Sequence, residues 1–255
     1  MTRALARTNF HSSKLIRTLA DLAVLETAEP AAAFAEKLGL WIDFTDAIAL
    51  SGVLNAGAAE TQAGAQSLAG VSLDDEFARM RTRLENTITK SGSPGAGRTR
   101  AELTMPKLDV PIEDAKAYVP FRRYHQAHQR DMESNVRTLR TRVRDGVAKA
   151  SPKLQQLATL DAAFDAILCE REGKLLSTIP ALLERRFNQL RQAHQQTLRD
   201  RQQTDDNPDV WMKPGAWLAR FCGELQAVLL AELDLRLQPS VGLLEAFNNE
   251  KTNQL

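Results

Sequence analysis

The sequence predicts an all-α protein: an N-terminal helical hairpin, flexible linkers, and an elongated antiparallel three-helix coiled-coil-like bundle with a C-terminal apolar helix. Three observations predict it. Apolar side chains recur every three or four positions along most of the 255 residues. The hydrophobic 43 % of the chain is carried mainly by Leu and Ala, with only 5 % aromatic residues, which suits helix packing better than a sheet. Ser-Pro and Gly-rich breaks then cut the pattern into helix-sized pieces.

Residues 1–54 form the expected hairpin. Ser12 and Ser13 are placed to cap a first helix carrying Leu15, Ile16, Leu19, Leu22 and Val24. Pro30 opens a second, in the first turn where its missing N–H costs nothing. Phe34, Leu38, Trp41, Phe44, Ile48 and Leu50 are expected to make the buried stripe of that second helix. Residues 55–72, small and Gly/Ala-rich, read as a linker. A short amphipathic helix at 73–90 follows, with Phe77, Met80, Leu84 and Ile88 on one face. A Gly/Pro-rich linker at 91–112 separates it from the bundle, because three prolines forbid a continuous helix.

The bundle is expected over 113–240, with a C-terminal tail at 241–255. Its first helix carries a narrow seam: Phe121, Tyr124, His128, Met132, Val136, Leu139, Val143, and Gly146 or Val147. Ser151-Pro152 stops it and starts the next, through Leu157, Leu160, Phe164, Ile167, Leu168 and Leu175. Ser177 or Thr178, with Pro180, signals a third, through Leu183, Phe187, Leu190, His194 and Leu198. Short connections of this kind predict antiparallel neighbours. The last apolar helix, about Lys213 to Gln238, is expected to cap the bundle or dock the hairpin.

The net charge of +1 conceals segregation. Ala20 to Ala78 holds ten acids and one base, Lys37, whereas Pro120 to Ala150 holds eight bases and three acids. This layout predicts a contact between the acidic region and the basic bundle face. Cys169 and Cys222 fall in apolar helical patterns and are expected as buried, unpaired thiols in a reducing compartment. The N-terminus lacks a continuous apolar core of signal-peptide type, and Trp217 to Leu237 carries too many charges to cross a bilayer. A cytoplasmic protein without direct membrane insertion is the expectation.

No catalytic or cofactor motif emerges. His125 and His128, with Asp131 nearby, have helical spacing able to hold a metal, but a closed site needs further ligands. His128 in the seam and His125 in solvent is the simpler expectation, and no metal is assigned. Asp43 and Asp46 are read as the polar side of an amphipathic helix. The SGSPGAG stretch lacks the Gly-Lys-Ser/Thr ending of a phosphate loop, and neither GxSxG nor HExxH occurs.

The stretches RTNFHSSKLIRTLADLAVLETAEPAAAFAEKLGLWIDFTDAIALSGVLN, YVPFRRYHQAHQRDMESNVRTLRTRVRD and LAELDLRLQPSVGLLEAF resemble an uncharacterised family of helical bacterial cytoplasmic proteins, a domain of unknown function. The resemblance covers most of the chain and carries no catalytic residues over. It implies a cytoplasmic accessory of an envelope-spanning assembly, relatives being encoded beside membrane proteins.

Two functions compete. The first is a non-enzymatic scaffold or adaptor that uses Trp41, Phe44 and Ile48 to bind protein partners, membrane or envelope proteins among them. The alternative is nucleic-acid binding by arginine faces: Arg122, Arg123, Arg130, Arg137, Arg140 and Arg144, with Arg185 and Arg186 two helices on. No recognition motif accompanies these arginines, so nucleic acid ranks second. Self-association into a homodimer through the seams is a third reading.

Overall fold

The computed structural model describes residues 13–22, 42–55, 73–90, 103–106, 117–202 and 206–253. Their regular structure is entirely helical: α1 (Lys14–Asp21), α2 (Phe44–Asn55), α3 (Leu73–Thr89), α4 (Val119–Ala148), α5 (Pro152–Leu176), α6 (Ile179–Asp200), α7 (Pro208–Trp211) and α8 (Trp217–Asn253). Pro30, Phe34, Leu38, Trp41 and most of both linkers lie outside the described residues.

The spine is the parallel pair α4 and α8, whose interface is the most extensive in the fold. Phe121 meets Phe221 at one level, and eight residues further along α4 Gln129 meets Glu232. At 1.5 Å per residue these helices run roughly 45 and 55 Å. The α4 seam is buried as its spacing predicts, from Phe121 to Val147. By contrast α8 is apolar on most of its circumference, the mark of a helix enclosed by neighbours.

Helices α3 and α5 run antiparallel to this spine. Helix α5 lies along α4, with Arg140 and Arg144 beside Asp161 and Asp165 and Gln129 beside Leu176. Helix α3 lies along both, tied by Arg142–Glu76, Arg81–Asp234 and Asn248–Asp74. Leu84 and Ile88 sink into the core, each worth about 2 kcal/mol of burial. Gly146 permits the close approach of α3, because a Cβ there would stand 2.6 Å from Leu73 Cδ1. Thus 73–89 is part of the bundle rather than a separate helix between linkers. The Arg142–Glu76 pair also joins the acidic and basic regions.

Helix α6 departs from the expected three-helix order. It packs on α8 and α4, Arg186 pairing with Glu224 and Arg122 with Glu184. The reason is local: Ser177 and Thr178 both hold near-helical backbone angles, so the chain bends without reversing direction. Phe187 then enters an aromatic cluster with Tyr118, Phe121, Trp217 and Phe221, centroids 5.1 to 5.6 Å away. Tyr118 Oη donates to the Pro180 carbonyl at 2.6 Å.

Where a C-terminal tail was expected from 241, α8 continues through Pro239 to Asn253. An interior proline costs about 3 kcal/mol against alanine. Burial of Leu237, Leu243, Leu244 and Phe247 around it favours continuation. α8 is therefore the central element and not a cap. Of the expected hairpin, α1 packs on α8 through Leu15 and Leu19, and α2 packs on α5. Among the described residues no helix is long and apolar enough to cross a membrane.

Candidate functional site

Helix α2 begins with a reciprocal cap. The Asp46 N–H donates to Asp43 Oδ1 at 2.8 Å, and the Asp43 N–H donates to Asp46 Oδ2 at 3.2 Å. The two carboxylates thus start the helix instead of forming the polar side of a stripe. Beyond this cap the sequence FTDAIALSGVLN carries apolar residues around its whole circumference. A helix of that kind is ordinarily enclosed. Here only Leu50 is buried, and Gln156 Nε2 reaches the Leu54 carbonyl at 3.2 Å to hold the helix on α5. Phe44 is 82 % exposed and Ile48 57 %, one helical turn apart on one face. Trp41, the third expected partner residue, lies outside the described residues.

The arginines of the alternative reading mostly face carboxylates of the same chain. Arg140 and Arg144 share Asp161 and Asp165 at 2.6 to 3.1 Å, across the α4–α5 interface. Arg186 is bidentate on Glu224, Arg122 pairs with Glu184, and Arg137 pairs with Glu133 one turn back. Arg123, Arg130 and Arg185 are exposed. The eight residues therefore do not form one continuous phosphate-binding face, as carboxylates stand against five of them. Spacing along the sequence showed the charges but not their partners.

At the centre of the bundle lies a polar cluster that sequence reasoning missed. Glu232, fully buried, accepts from Gln129 at 3.1 and 3.2 Å and from Arg236 at 2.8 and 3.0 Å. Gln129 also reaches the Leu176 carbonyl at 3.0 Å, tying three helices together. His125 is buried too, against the expectation of a solvated ring, because its position on α4 faces α8 beside the seam. Burial, aided by the neighbouring His128, pushes the His125 imidazole down to about 3. Burial likewise lowers His128 to about 4, although its bond to the Leu103 backbone opposes the shift. Burial raises the Glu232 carboxyl, against the pull of Arg236 and Gln129. The signal for this cluster was present: Glu232 and Arg236 stand four apart, the spacing of an ion pair along one helix, with apolar Leu233 and Leu237 beside them.

His194, in the apolar pattern of α6, stands 2.9 Å from Asp206, which also accepts from Trp211 Nε1 at 2.6 Å. This clip fastens α7 to the end of α6 above Trp217 and lines a cleft of about 550 Å³. Asp131 meets Asn135 rather than the histidines, and among the described residues no group of three His, Cys, Asp or Glu is gathered for a metal. Cys222 is buried as expected, its thiol pushed up to about 12 by burial. Cys169 is exposed, because α5 lies on the outer side of the bundle and its seam is only half-buried.

Neither the curated proteins nor the solved structures contain a match to this chain. The sequence does match a family model, that of a protein of unknown function (DUF3348), over residues 1–249, and the chain belongs to that family.

Proposed function

We propose that this protein is a non-enzymatic helical adaptor, which presents α2 on a rigid bundle to a protein partner. The observation that carries the reading is the exposure of Phe44 and Ile48 on a helix that is apolar all round. Scattered exposed apolar residues are ordinary, but a whole helix of this character normally has a cover. The bundle supplies the rigidity: the α4–α5 arginine–aspartate network and the Glu232 cluster fix the platform on which α2 sits. We read the protein as cytoplasmic, in keeping with two free thiols, one of them exposed. The partner assembly is proposed to be membrane-associated, the setting implied by the family resemblance.

The test is affinity purification from the native cell, comparing the tagged protein with a Phe44→Ala/Ile48→Ala variant of unchanged helicity. Loss of specific co-purifying proteins from the variant supports the adaptor. An identical set with both baits contradicts it.

A further inference from the structure

The cleft beside the His194–Asp206 clip has the make-up of a ligand site. The last turns of α6, helix α7 and the start of α8 border about 550 Å³. That lies within the roughly 300–1,000 Å³ usual for small-molecule sites. The floor is apolar: Leu190, Trp211 and Trp217 are buried there, the two indoles with ring centroids 5.8 Å apart. Ala193 and Val210 stand exposed on the walls, so apolar surface remains for an occupant to cover.

Three permanently charged side chains line the same space: Arg201, Arg220 and Asp206. Asp206 is already engaged, its Oδ1 accepting from both His194 and Trp211. Arg201 is exposed and has no carboxylate or carbonyl partner among the described residues. Arg220 gives its Nε to Glu224 at 3.0 Å, and its outer nitrogens make no bond among the described residues. Glu224 is itself held on both oxygens by Arg186. Two guanidinium groups therefore border an apolar floor with donors to spare, against one committed carboxylate.

We infer that this cleft binds a small organic anion, a carboxylate carried on a compact apolar body. Arg201 and Arg220 donate to the carboxylate oxygens, and the body covers Ala193 and Val210 above the two tryptophans. The planar fork of a guanidinium matches a carboxylate with two parallel N–H donors, and such charge-assisted bonds are the strong ones. An organic cation would meet both arginines with like charge. An inorganic anion would leave the apolar floor and walls uncovered. The site stands apart from the adaptor surface, since it is built on α6, α7 and α8 whereas α2 packs on α5.

The experiment titrates the full chain with adamantane-1-carboxylate, followed by calorimetry and by tryptophan emission. Two of the three tryptophans border the cleft, so emission reports on its occupancy. Saturable binding is expected below about 1 mM. Arg201→Gln/Arg220→Gln alters two exposed positions and leaves Glu224 paired with Arg186. It weakens binding by about tenfold, the scale of hydrogen bonds to a charged group. Ala193→Phe narrows the cleft, keeps both arginines and weakens binding as well. Arg123→Gln/Arg185→Gln, which removes exposed charges outside the cleft, leaves binding unchanged. Unaltered circular dichroism shows that each variant is folded. Equal binding of adamantane-methanol, of the matching methylammonium or of inorganic phosphate overturns the inference. So does the lack of saturable binding, or binding that survives undiminished when the two arginines are lost or the cleft is filled.

Discussion

His125 Nε2 stands 3.7 Å from Glu232 Oε2, and both side chains are fully enclosed between α4 and α8. That gap is too long for a hydrogen bond, so the imidazole is held as a neutral ring beside a carboxylate committed to Arg236 and Gln129. Its folded value of about 3, against 6.5 in the open chain, makes the pair a source of pH dependence.

The sign follows from proton binding. Above pH 6.5 both states keep His125 and His128 neutral, and their contribution to stability is fully present. As pH falls toward about 4 the unfolded chain takes up protons that the folded chain refuses, so stability is lost. Glu232, raised in the fold, acts oppositely as pH rises above its open-chain value of 4.5, and it reduces the net slope. Urea midpoints measured from pH 7.5 to 4.5 are expected to fall with acid. A His125→Gln/His128→Gln variant is expected to flatten that fall by up to about two protons, each about 1.4 kcal/mol per pH unit.

Removing one partner of the buried cluster leaves the other uncompensated. Glu232→Ala strands the Arg236 guanidinium and is expected to cost about 3–5 kcal/mol. Replacing both, as Glu232→Leu/Arg236→Leu, is expected to recover most of that loss. Denaturant unfolding of the single and double variants provides the comparison.

The α4–α5 clamp has a different weak point. Asp161 accepts hydrogen bonds from both Arg140 and Arg144, so Asp161→Ala removes more than a single exchange between one pair would. The expected loss is about 1.5–3 kcal/mol, the range for hydrogen bonds to charged groups. Glu133→Ala, which removes only the exposed turn-spaced partner of Arg137, is expected to change stability by no more than about 0.5 kcal/mol.

Gly146 sets how closely α3 lies on α4. Gly146→Leu drives a side chain into Leu73 and is expected to cost about 1–3 kcal/mol. Amide exchange is the more specific readout: protection in the first turns of α3 should fall well before that of α8.

The parts of this fold that depend on periodicity were legible in the sequence. The α4 seam from Phe121 to Val147 is buried, and Ser151 caps α5 through its side-chain oxygen at 3.2 Å from the Leu154 nitrogen. What depended on neighbours was not. The α5 residues Leu157, Leu160, Phe164, Ile167 and Leu168 are half-buried and Leu175 is exposed, because α5 has bundle on one side only. The expected end of α8 was Gln238, yet the apolar positions beyond Pro239 carry the helix on to Asn253. Of the candidate site, spacing named Phe44 and Ile48 but placed them in a buried stripe, where the structure leaves them exposed, and Glu232 passed only as one of the charges between Trp217 and Leu237.

The most direct measurement asks whether the α2 face is covered where the protein works. A thiol placed there by Ile48→Cys, reacted with a maleimide, should label rapidly in the pure protein and slowly in a fresh extract of the native cell. Exposed Cys169, on the outside of α5, serves as the reference that access itself is unchanged. Equal labelling of residue 48 in the two settings would contradict the adaptor account.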